Sequence, residues 1–260
     1  MNEFQALILG LIQGLTEFLP VSSSGHLEIG HSLLGIKSGN DLLFDVVVHG
    51  ATVLSTIVVF RKDIGKLLNG LFSFKWNNST IYIAKLVLSA VPVIILGLIF
   101  RDSIESLFKG RVVFVGSMLI FTALLLLMAS LMKKGNKEIS FLHAIIIGFA
   151  QALAVIPGIS RSGATIATGL ILGNNREGMA RFSFLMVLLP ILGAVGLDLM
   201  NGEIGNALGT EGLPLIIGFL AAFLSGLMAC KWMIKIVKKG NLIYFAIYCF
   251  LIGLIAIFAA

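Results

Sequence analysis

The stretch GLIQGLTEFLPVSSSGH at residues 10–26 decides the fold of this 260-residue chain. Its flanks are apolar, but a proline and three serines interrupt the pattern at residues 20–24. A helix needs about twenty apolar residues to cross the hydrocarbon core, and each half of this segment is too short. Interrupted backbone is tolerated at membrane depth only where it is buried in protein or lines a wet cavity. We therefore interpret residues 5–35 as a re-entrant helical hairpin.

A second stretch, GFAQALAVIPGISRSGAT at residues 148–165, resembles the first. Gln13 and Gln151 are 138 residues apart (151 − 13), and Gly25 and Gly163 have the same spacing (163 − 25). We therefore predict a second hairpin at residues 141–172. Each hairpin is followed by three predicted spans, so the second copy would enter the membrane inverted, which places a site between discontinuous helices at the midplane. The copies would occupy about residues 1–135 and about 139–260 of a single membrane domain.

The composition supports a polytopic membrane protein. The chain is 58% hydrophobic and 12% charged, whereas a soluble domain is about a quarter charged. These values exclude a soluble enzyme, a disordered chain and a simple nucleic-acid-binding protein. We predict an all-α protein with six transmembrane helices plus two re-entrant hairpins. The predicted spans are Leu42–Phe60, Ile81–Phe100, Val112–Met132, Phe182–Met200, Leu213–Met233 and Leu242–Ala260.

The loop charges predict the orientation. Most lysines and arginines fall on one side of the predicted membrane, which the positive-inside rule makes cytoplasmic. The bases predicted for the other side are Lys37, Arg101, Lys109 and Arg111. Both termini and the mouth of the first hairpin would then face outward from the plasma (inner) membrane. The second hairpin would open inward.

Ionisable side chains at membrane depth are costly and therefore indicate function. The predicted hairpin tips carry Glu17, His26 and Arg161. Glu17 is suited to holding a divalent cation or taking a proton, and the planar guanidinium of Arg161 suits phosphate oxygens. Ser23 or His26 would then attack phosphorus with assistance from Glu17. The candidate substrate-binding residues around them are Gln13, Ser22, Ser24, Gly25, Ser160, Ser162, Gly163 and Thr165.

Structural interpretations of the same residues stay open at this point. Arg161 would then only neutralise Glu17, and His26 would only cap a helix. The serine run would satisfy backbone groups freed by the break. Asp45 and His49, four residues apart, form either a wall of the same cavity or a structural pair.

The segments QGLTEFLPVSSSGHL and PGISRSGATI together resemble the two signature regions of the undecaprenyl-diphosphate phosphatase family of the bacitracin-resistance type. The segments FDVVVHGAT and RFSFLMVLLPILGA also look like family features. The resemblance implies a membrane hydrolase that removes the terminal phosphate of undecaprenyl diphosphate and recycles the lipid carrier of cell-wall synthesis. It also implies a divalent cation, Mg²⁺ or Ca²⁺, and a site on the outer side of the membrane.

Carried over by this resemblance, Glu17 is the metal-associated or proton-handling carboxylate. Gln13 takes a position that is glutamate in many relatives, so a site with two carboxylates is not expected. Ser23 and His26 are the alternatives for nucleophile or acid and base, and Arg161 with its neighbours binds pyrophosphate. The other function considered is a transporter or flippase of an anionic polyprenyl lipid, which the inverted repeat motivates. The sequence leaves the assembly state open, a homodimer included.

Overall fold

The computed structural model describes residues 1–36, 42–100, 111–200 and 203–259. These residues are helical with short connections, and their only β-type pairing is one isolated bridge between Lys137 and Asn174. The predicted all-α fold class is confirmed. The helices are α1 Glu3–Phe18, α2 Ser23–Leu33, α3 Leu42–Val59, α4 Arg61–Leu71, α5 Asn78–Ile99, α6 Val112–Leu131, α7 Phe141–Leu153, α8 Arg161–Ile171, α9 Arg176–Met186, α10 Leu188–Met200, α11 Glu203–Lys239 and α12 Ile243–Phe258.

The first interrupted segment folds back on itself. Helix α1 begins with a capping box, in which Asn2 and Gln5 exchange side-chain and backbone hydrogen bonds. It ends before Pro20, because a residue that precedes proline disfavours the helical region, and Leu19 is extended. Gln5 Nε2 donates to the carbonyl oxygen of Leu34, 3.2 Å away, just after the end of α2. The start of α1 therefore lies beside the end of α2, and the pair forms a hairpin.

The second interrupted segment has the same construction. Helices α7 and α8 each begin 138 residues after their counterparts (141 − 3 and 161 − 23). Ser160 caps α8 by accepting from Gly163 N, as Ser22 caps α2 by accepting from Gly25 N. At the open end, His143 Nδ1 lies 2.9 Å from Asn174 Oδ1, and Lys137 N donates to Gly173 O. The two segments are therefore hairpins of like geometry.

Small residues allow helices to pack closely around these hairpins. A Cβ atom on Gly14 of α1 would overlap Ser225 Oγ and Ala222 O of α11. A Cβ atom on Gly116 of α6 would lie 2.7 Å from the carbonyl oxygen of Gly253 in α12. Backbones approach each other at glycine in this way in many membrane helix pairs. These contacts fix α1 against α11 and α6 against α12.

An aromatic cluster holds the first hairpin against α9. Phe18, the last residue of α1, meets Phe184 edge to face with ring centroids 5.6 Å apart. Phe60, between α3 and α4, lies against the same Phe184 ring at 6.3 Å. All three phenyl groups are buried. The break after α1 is therefore held beside the helix that carries Ser183.

Several helices are suited to crossing a membrane by length and composition. Within the described ranges these are α5, α6 and the Gly212–Lys239 part of α11. Helices α3 and α4 form a further candidate that bends by 76° between them, while α7 and α12 are shorter apolar helices. The chain is thus a helical membrane protein with several candidate spans.

Two predicted spans differ from the observed helices. The predicted span Phe182–Met200 is divided at Val187, because α9 ends at Met186 and α10 begins at Leu188. Pro190 falls in the first turn of α10, where its missing N–H leaves no helical hydrogen bond unmade. The predicted span Leu213–Met233 is part of the longer α11.

The charge pattern that predicts the orientation is only partly described by the structure. Three of its bases, Lys37, Arg101 and Lys109, lie outside the described residues.

Candidate active site

The breaks of the two hairpins touch each other. Ser162 Oγ donates to the carbonyl oxygen of Leu19 at 3.0 Å. A Cβ atom on Gly25 would lie 3.2 Å from Gly158 Cα, which is tighter than most Cβ contacts, so glycine favours this close approach. Thr122 of α6 supports the second break, since its Oγ1 accepts from Ser160 N and donates to Gly158 O. The two hairpin breaks therefore meet, as a site between discontinuous helices requires.

A buried ion pair crosses this junction. Arg161 Nη2 lies 2.5 Å from Glu17 Oε1, and the side chains are 15% and 8% exposed. The other terminal nitrogen, Arg161 Nη1, donates to the carbonyl oxygen of Ser183 at 3.0 Å. Two contacts on different helices therefore fix the guanidinium while leaving further N–H groups for a ligand.

The second oxygen of Glu17 collects three more side chains. Ser23 Oγ donates to Glu17 Oε2 at 2.6 Å, and Gln13 Nε2 donates to the same atom at 3.0 Å. His49 Nε2 lies 3.8 Å from it. The contact between a serine hydroxyl and a carboxylate is the arrangement of a nucleophile beside its base.

His49 lines the cavity of the site. Of the two alternatives for Asp45 and His49, the structure therefore favours a wall of the cavity over a purely structural pair. The ring Nδ1 of His49 lies 2.7 Å from the backbone oxygen of Asp45, which accepts only, so Nδ1 carries the proton. The Asp45 carboxylate instead lies 3.9 Å from His31 Nε2. The Nε2 edge of His49 is thereby directed towards Glu17.

A cavity of about 280 Å³ opens at the junction. Its polar lining comes from both hairpins and from α3, and its apolar lining comes mainly from the second break, α5 and α10. The polar lining residues are Glu17, Ser23, Ser24, His49, Gln151, Ser160, Arg161 and Ser162. The volume and the mixture of one acid, one guanidinium and several hydroxyls suit a small anionic group.

The remaining predicted site residues lie behind this wall or away from it. Thr165 Oγ1 donates to the carbonyl oxygen of Arg161 and lies 2.7 Å from Ser183 Oγ, so it supports the guanidinium's helix. Ser22, Gly25 and Gly163 form the caps and the close contacts of the breaks.

His26 is not among the residues lining the cavity. Its Nδ1 lies 2.9 Å from the backbone oxygen of Ser22, and its Nε2 lies 2.9 Å from the hydroxyl of Tyr248 on α12. The structure therefore brings Glu17, Ser23 and Arg161 together but places the His26 ring against the last helix.

Nearly the whole sequence matches a known family. The model of that family, described as Bacitracin resistance protein BacA, matches residues 6–255. The chain belongs to the BacA family. It is 54% identical to a protein named Undecaprenyl-diphosphatase from Christiangramia forsetii, over 100% of this chain and 99% of the relative. The Bacteroides fragilis protein of that name is 54% identical over 99% of this chain and 98% of its own length. A protein of the same name from Methanobrevibacter smithii is 36% identical over 98% of this chain and 96% of its own length.

The donor set of this BacA protein bears on the divalent cation that the family resemblance implies. Among the described residues, no three His, Cys, Asp or Glu side chains come together, and Glu17 is the one carboxylate lining the cavity. The amide oxygens of Gln13 and Gln151 are buried without a hydrogen-bond partner in that part of the chain. Mg²⁺ is commonly held by one or two carboxylates together with substrate phosphates. Glu17 and an amide oxygen would therefore be the residues that hold such a cation, and its charge would offset that of a phosphate group.

Sequence reasoning missed three site residues in this BacA protein. Ser183 contributes only a backbone oxygen to Arg161, and Tyr248 contacts His26 from 222 residues away, so no side-chain pattern indicated either contact. Gln151 did carry a sequence signal, because it stands at the repeat offset of Gln13. That spacing indicates the repeat but not a contact with a ligand.

Proposed function

We propose that this protein hydrolyses undecaprenyl diphosphate to undecaprenyl phosphate and inorganic phosphate. The observation that carries the proposal is the buried Glu17–Arg161 pair with Ser23 Oγ on the same carboxylate, at the wall of a polar cavity. The full-length likeness to proteins named Undecaprenyl-diphosphatase names the substrate. The product is the lipid carrier of cell-wall synthesis, and its recycling agrees with a family named for bacitracin resistance.

Ser23 is the nucleophile in this proposal. Its Oγ attacks the terminal phosphorus while its proton passes to Glu17, 2.6 Å away. The bond from that phosphorus to the bridging oxygen breaks, and Glu17 returns the proton to the departing undecaprenyl phosphate. Water then attacks the phosphoserine, its proton passes through Glu17 to Ser23 Oγ, and inorganic phosphate leaves. The first step leaves Ser23 phosphorylated, and its hydrolysis in the second step restores both Ser23 and Glu17.

Arg161 stabilises the charge that develops on the phosphoryl oxygens. Its guanidinium is oriented before substrate arrives, because Glu17 and the Ser183 carbonyl hold it from two sides. Preorganised donors of this kind supply much of the stabilisation in phosphoryl transfer. A divalent cation, when bound at Glu17, further offsets the diphosphate charge.

The proposed membrane arrangement has six spans and two re-entrant hairpins in an inverted repeat. Its support is the like geometry of the two hairpins and the burial of their charged tips. The spans are then α3, α5, α6, the α9–α10 segment, α11 and α12. In the plasma membrane, the excess of bases in the loops of one side favours an orientation with the site and both termini outside. A diphosphate headgroup would enter from the outer leaflet while the prenyl chain stays in lipid.

The purified protein in detergent, given undecaprenyl diphosphate, tests the proposal. Inorganic phosphate should appear with wild-type protein and not with a Glu17→Ala variant prepared in parallel. A flippase or transporter would release no phosphate from either sample. Absence of release by correctly folded wild-type protein would refute the hydrolase and leave the transport function.

A further inference from the structure

Gln151 is a buried amide that faces the cavity. It lies near the end of α7, its side chain lines the cavity, and the residue is 2% exposed. Neither Oε1 nor Nε2 has a hydrogen-bond partner among the described protein atoms. The other amide in the site, Gln13, uses its Nε2 on Glu17.

A buried amide with no hydrogen-bond partner is unusual. Buried side-chain polar atoms nearly always have at least one partner, since leaving one unbonded removes a hydration that nothing replaces. The cavity that Gln151 lines also presents Arg161, Ser160 and Ser162. An occupant of the cavity that offers oxygen atoms would therefore satisfy the amide.

The two hairpins indicate the kind of partner that is missing. Gln13 and Gln151 are each the eleventh residue of their helix, counted from Glu3 and Phe141. Gln13 Nε2 donates to the carboxylate four residues later, on the same helical face. Four residues after Gln151 stands Val155, which also lines the cavity and whose side chain has no acceptor. The second hairpin thus keeps the amide but lacks the anion that the amide binds in the first.

We infer that the Gln151 amide binds the anionic headgroup of the substrate, with Nε2 donating to a phosphoryl oxygen. The inference rests on the proposed function and assigns a further substrate-contacting residue to it. A phosphoryl oxygen takes the role that the Glu17 carboxylate plays for Gln13. The amide adds a donor beside Arg161 without adding a second positive charge next to Glu17.

A Gln151→Leu variant separates this contact from a structural role. The ligand is a prenyl methylenediphosphonate, whose P–C–P bridge cannot be hydrolysed, so binding is measured without turnover. The variant should bind it about tenfold or more weakly, as expected for a lost hydrogen bond to a charged group. Its thermal midpoint without ligand should equal or exceed that of wild type, because an unbonded amide has been removed.

Thr56→Val is the matched control. Thr56 is buried and does not line the cavity, and its hydroxyl donates to the backbone oxygen of Thr52. The control should bind the diphosphonate as wild type does. The inference would be overturned if Gln151→Leu bound the diphosphonate with wild-type affinity, whether or not its thermal midpoint fell. Gln151 would then have a structural or water-binding role.

A second pair of variants keeps the test decisive if Gln151→Leu does not fold. Val155→Glu places a carboxylate where the first hairpin has Glu17, so it should occupy the amide and repel the diphosphonate. Val155→Gln, of similar size and uncharged, should weaken binding less. Equal affinities in these two variants would count against an anion at this position.

The inference and the proposed function can fail separately. If wild type releases no phosphate yet its affinity for the diphosphonate depends on Gln151, the hydrolase is wrong and the contact stands. If wild type releases phosphate and Gln151→Leu binds normally, the contact is wrong and the hydrolase stands.

Discussion

The carboxylate of Glu17 and the guanidinium of Arg161, 144 residues apart in the chain, meet at 2.5 Å where the two hairpins touch. One hairpin supplies the carboxylate and the other supplies the guanidinium cation, so neither carries a complete site. The pair is mostly shielded from solvent, and the Ser23 hydroxyl shares the same carboxylate. Stability and chemistry are therefore coupled at one pair of side chains.

The Arg161→Ala variant should lose both catalytic activity and thermal stability. Phosphate release should fall about 100- to 1,000-fold, as it does when an oriented donor to a transition state is removed. The thermal midpoint should fall as well, because a buried charge left without its partner destabilises by about 3–5 kcal/mol. Phosphate release and thermal unfolding in detergent measure the two effects.

The double variant Glu17→Gln with Arg161→Gln separates the two roles. It leaves no unpaired charge, so its thermal midpoint should recover most of the loss while phosphate release stays low. Recovery of activity together with stability would mean that the ion pair is only structural.

Ser23→Ala should lower turnover about 100-fold or more, since the attacking oxygen is lost. Acid quenching of wild type with substrate labelled in the terminal phosphate should trap label on a peptide containing Ser23. Ser225→Ala is the control, because that buried hydroxyl donates to backbone oxygens of its own helix. Label at another residue, or turnover retained in Ser23→Ala, would remove Ser23 as the nucleophile.

His26 and Tyr248 form a pair whose function one comparison decides. We expect His26→Ala to lower phosphate release, in keeping with a catalytic role for the imidazole. For that role Nε2 must exchange the Tyr248 hydroxyl for substrate, so Tyr248→Phe should keep turnover within a few-fold of wild type. Equal losses in the two variants, with no further loss in the double variant, would indicate that the pair acts only by holding α2 against α12.

Chelation tests the divalent cation. With one lining carboxylate, which is already paired with Arg161, the protein alone should hold a cation weakly. EDTA should therefore suppress phosphate release from undecaprenyl diphosphate, and added Mg²⁺ or Ca²⁺ should restore it. The concentration of cation needed should fall as substrate concentration rises, because the diphosphate supplies the other ligands. Release unaffected by EDTA would exclude a required cation.

Gly14→Val should destabilise the contact between α1 and α11, where a Cβ atom overlaps Ser225 and Ala222. Overpacking of this kind commonly lowers the free energy of unfolding by about 1–3 kcal/mol or more. Gly97→Ala in α5 is the control, since a Cβ atom there meets no atom within 4 Å. A thermal midpoint of Gly14→Val equal to that of the control would show that α1 is free to move away from α11.

The hairpins and their meeting were predictable from sequence because each rests on a local signal. Pro20 and Pro157 interrupt apolar runs, the serines cap the next helices, and the repeat offset relates the segments. The charges at the tips then follow, since an acid and a guanidinium buried in one protein stabilise each other as a pair.

The parts that were not predicted depend on distant neighbours. Hydropathy treats Phe182–Met200 as one apolar run, and it carries no information on the turn at Val187 between α9 and α10. The orientation of His26 is set by Tyr248, 222 residues away. The importance of Gln151 arises from the partner it lacks, and only coordinates reveal a missing partner.

The two hairpins share a serine cap and an eleven-residue length in their second helices, yet they differ in the side chains that face the junction. With the same charged residue in both, like charges would oppose each other where the hairpins meet, and the junction would be pushed apart. The opposite charges of Glu17 and Arg161 instead draw the two hairpins together. The difference between the two segments, rather than their likeness, is therefore what closes the centre.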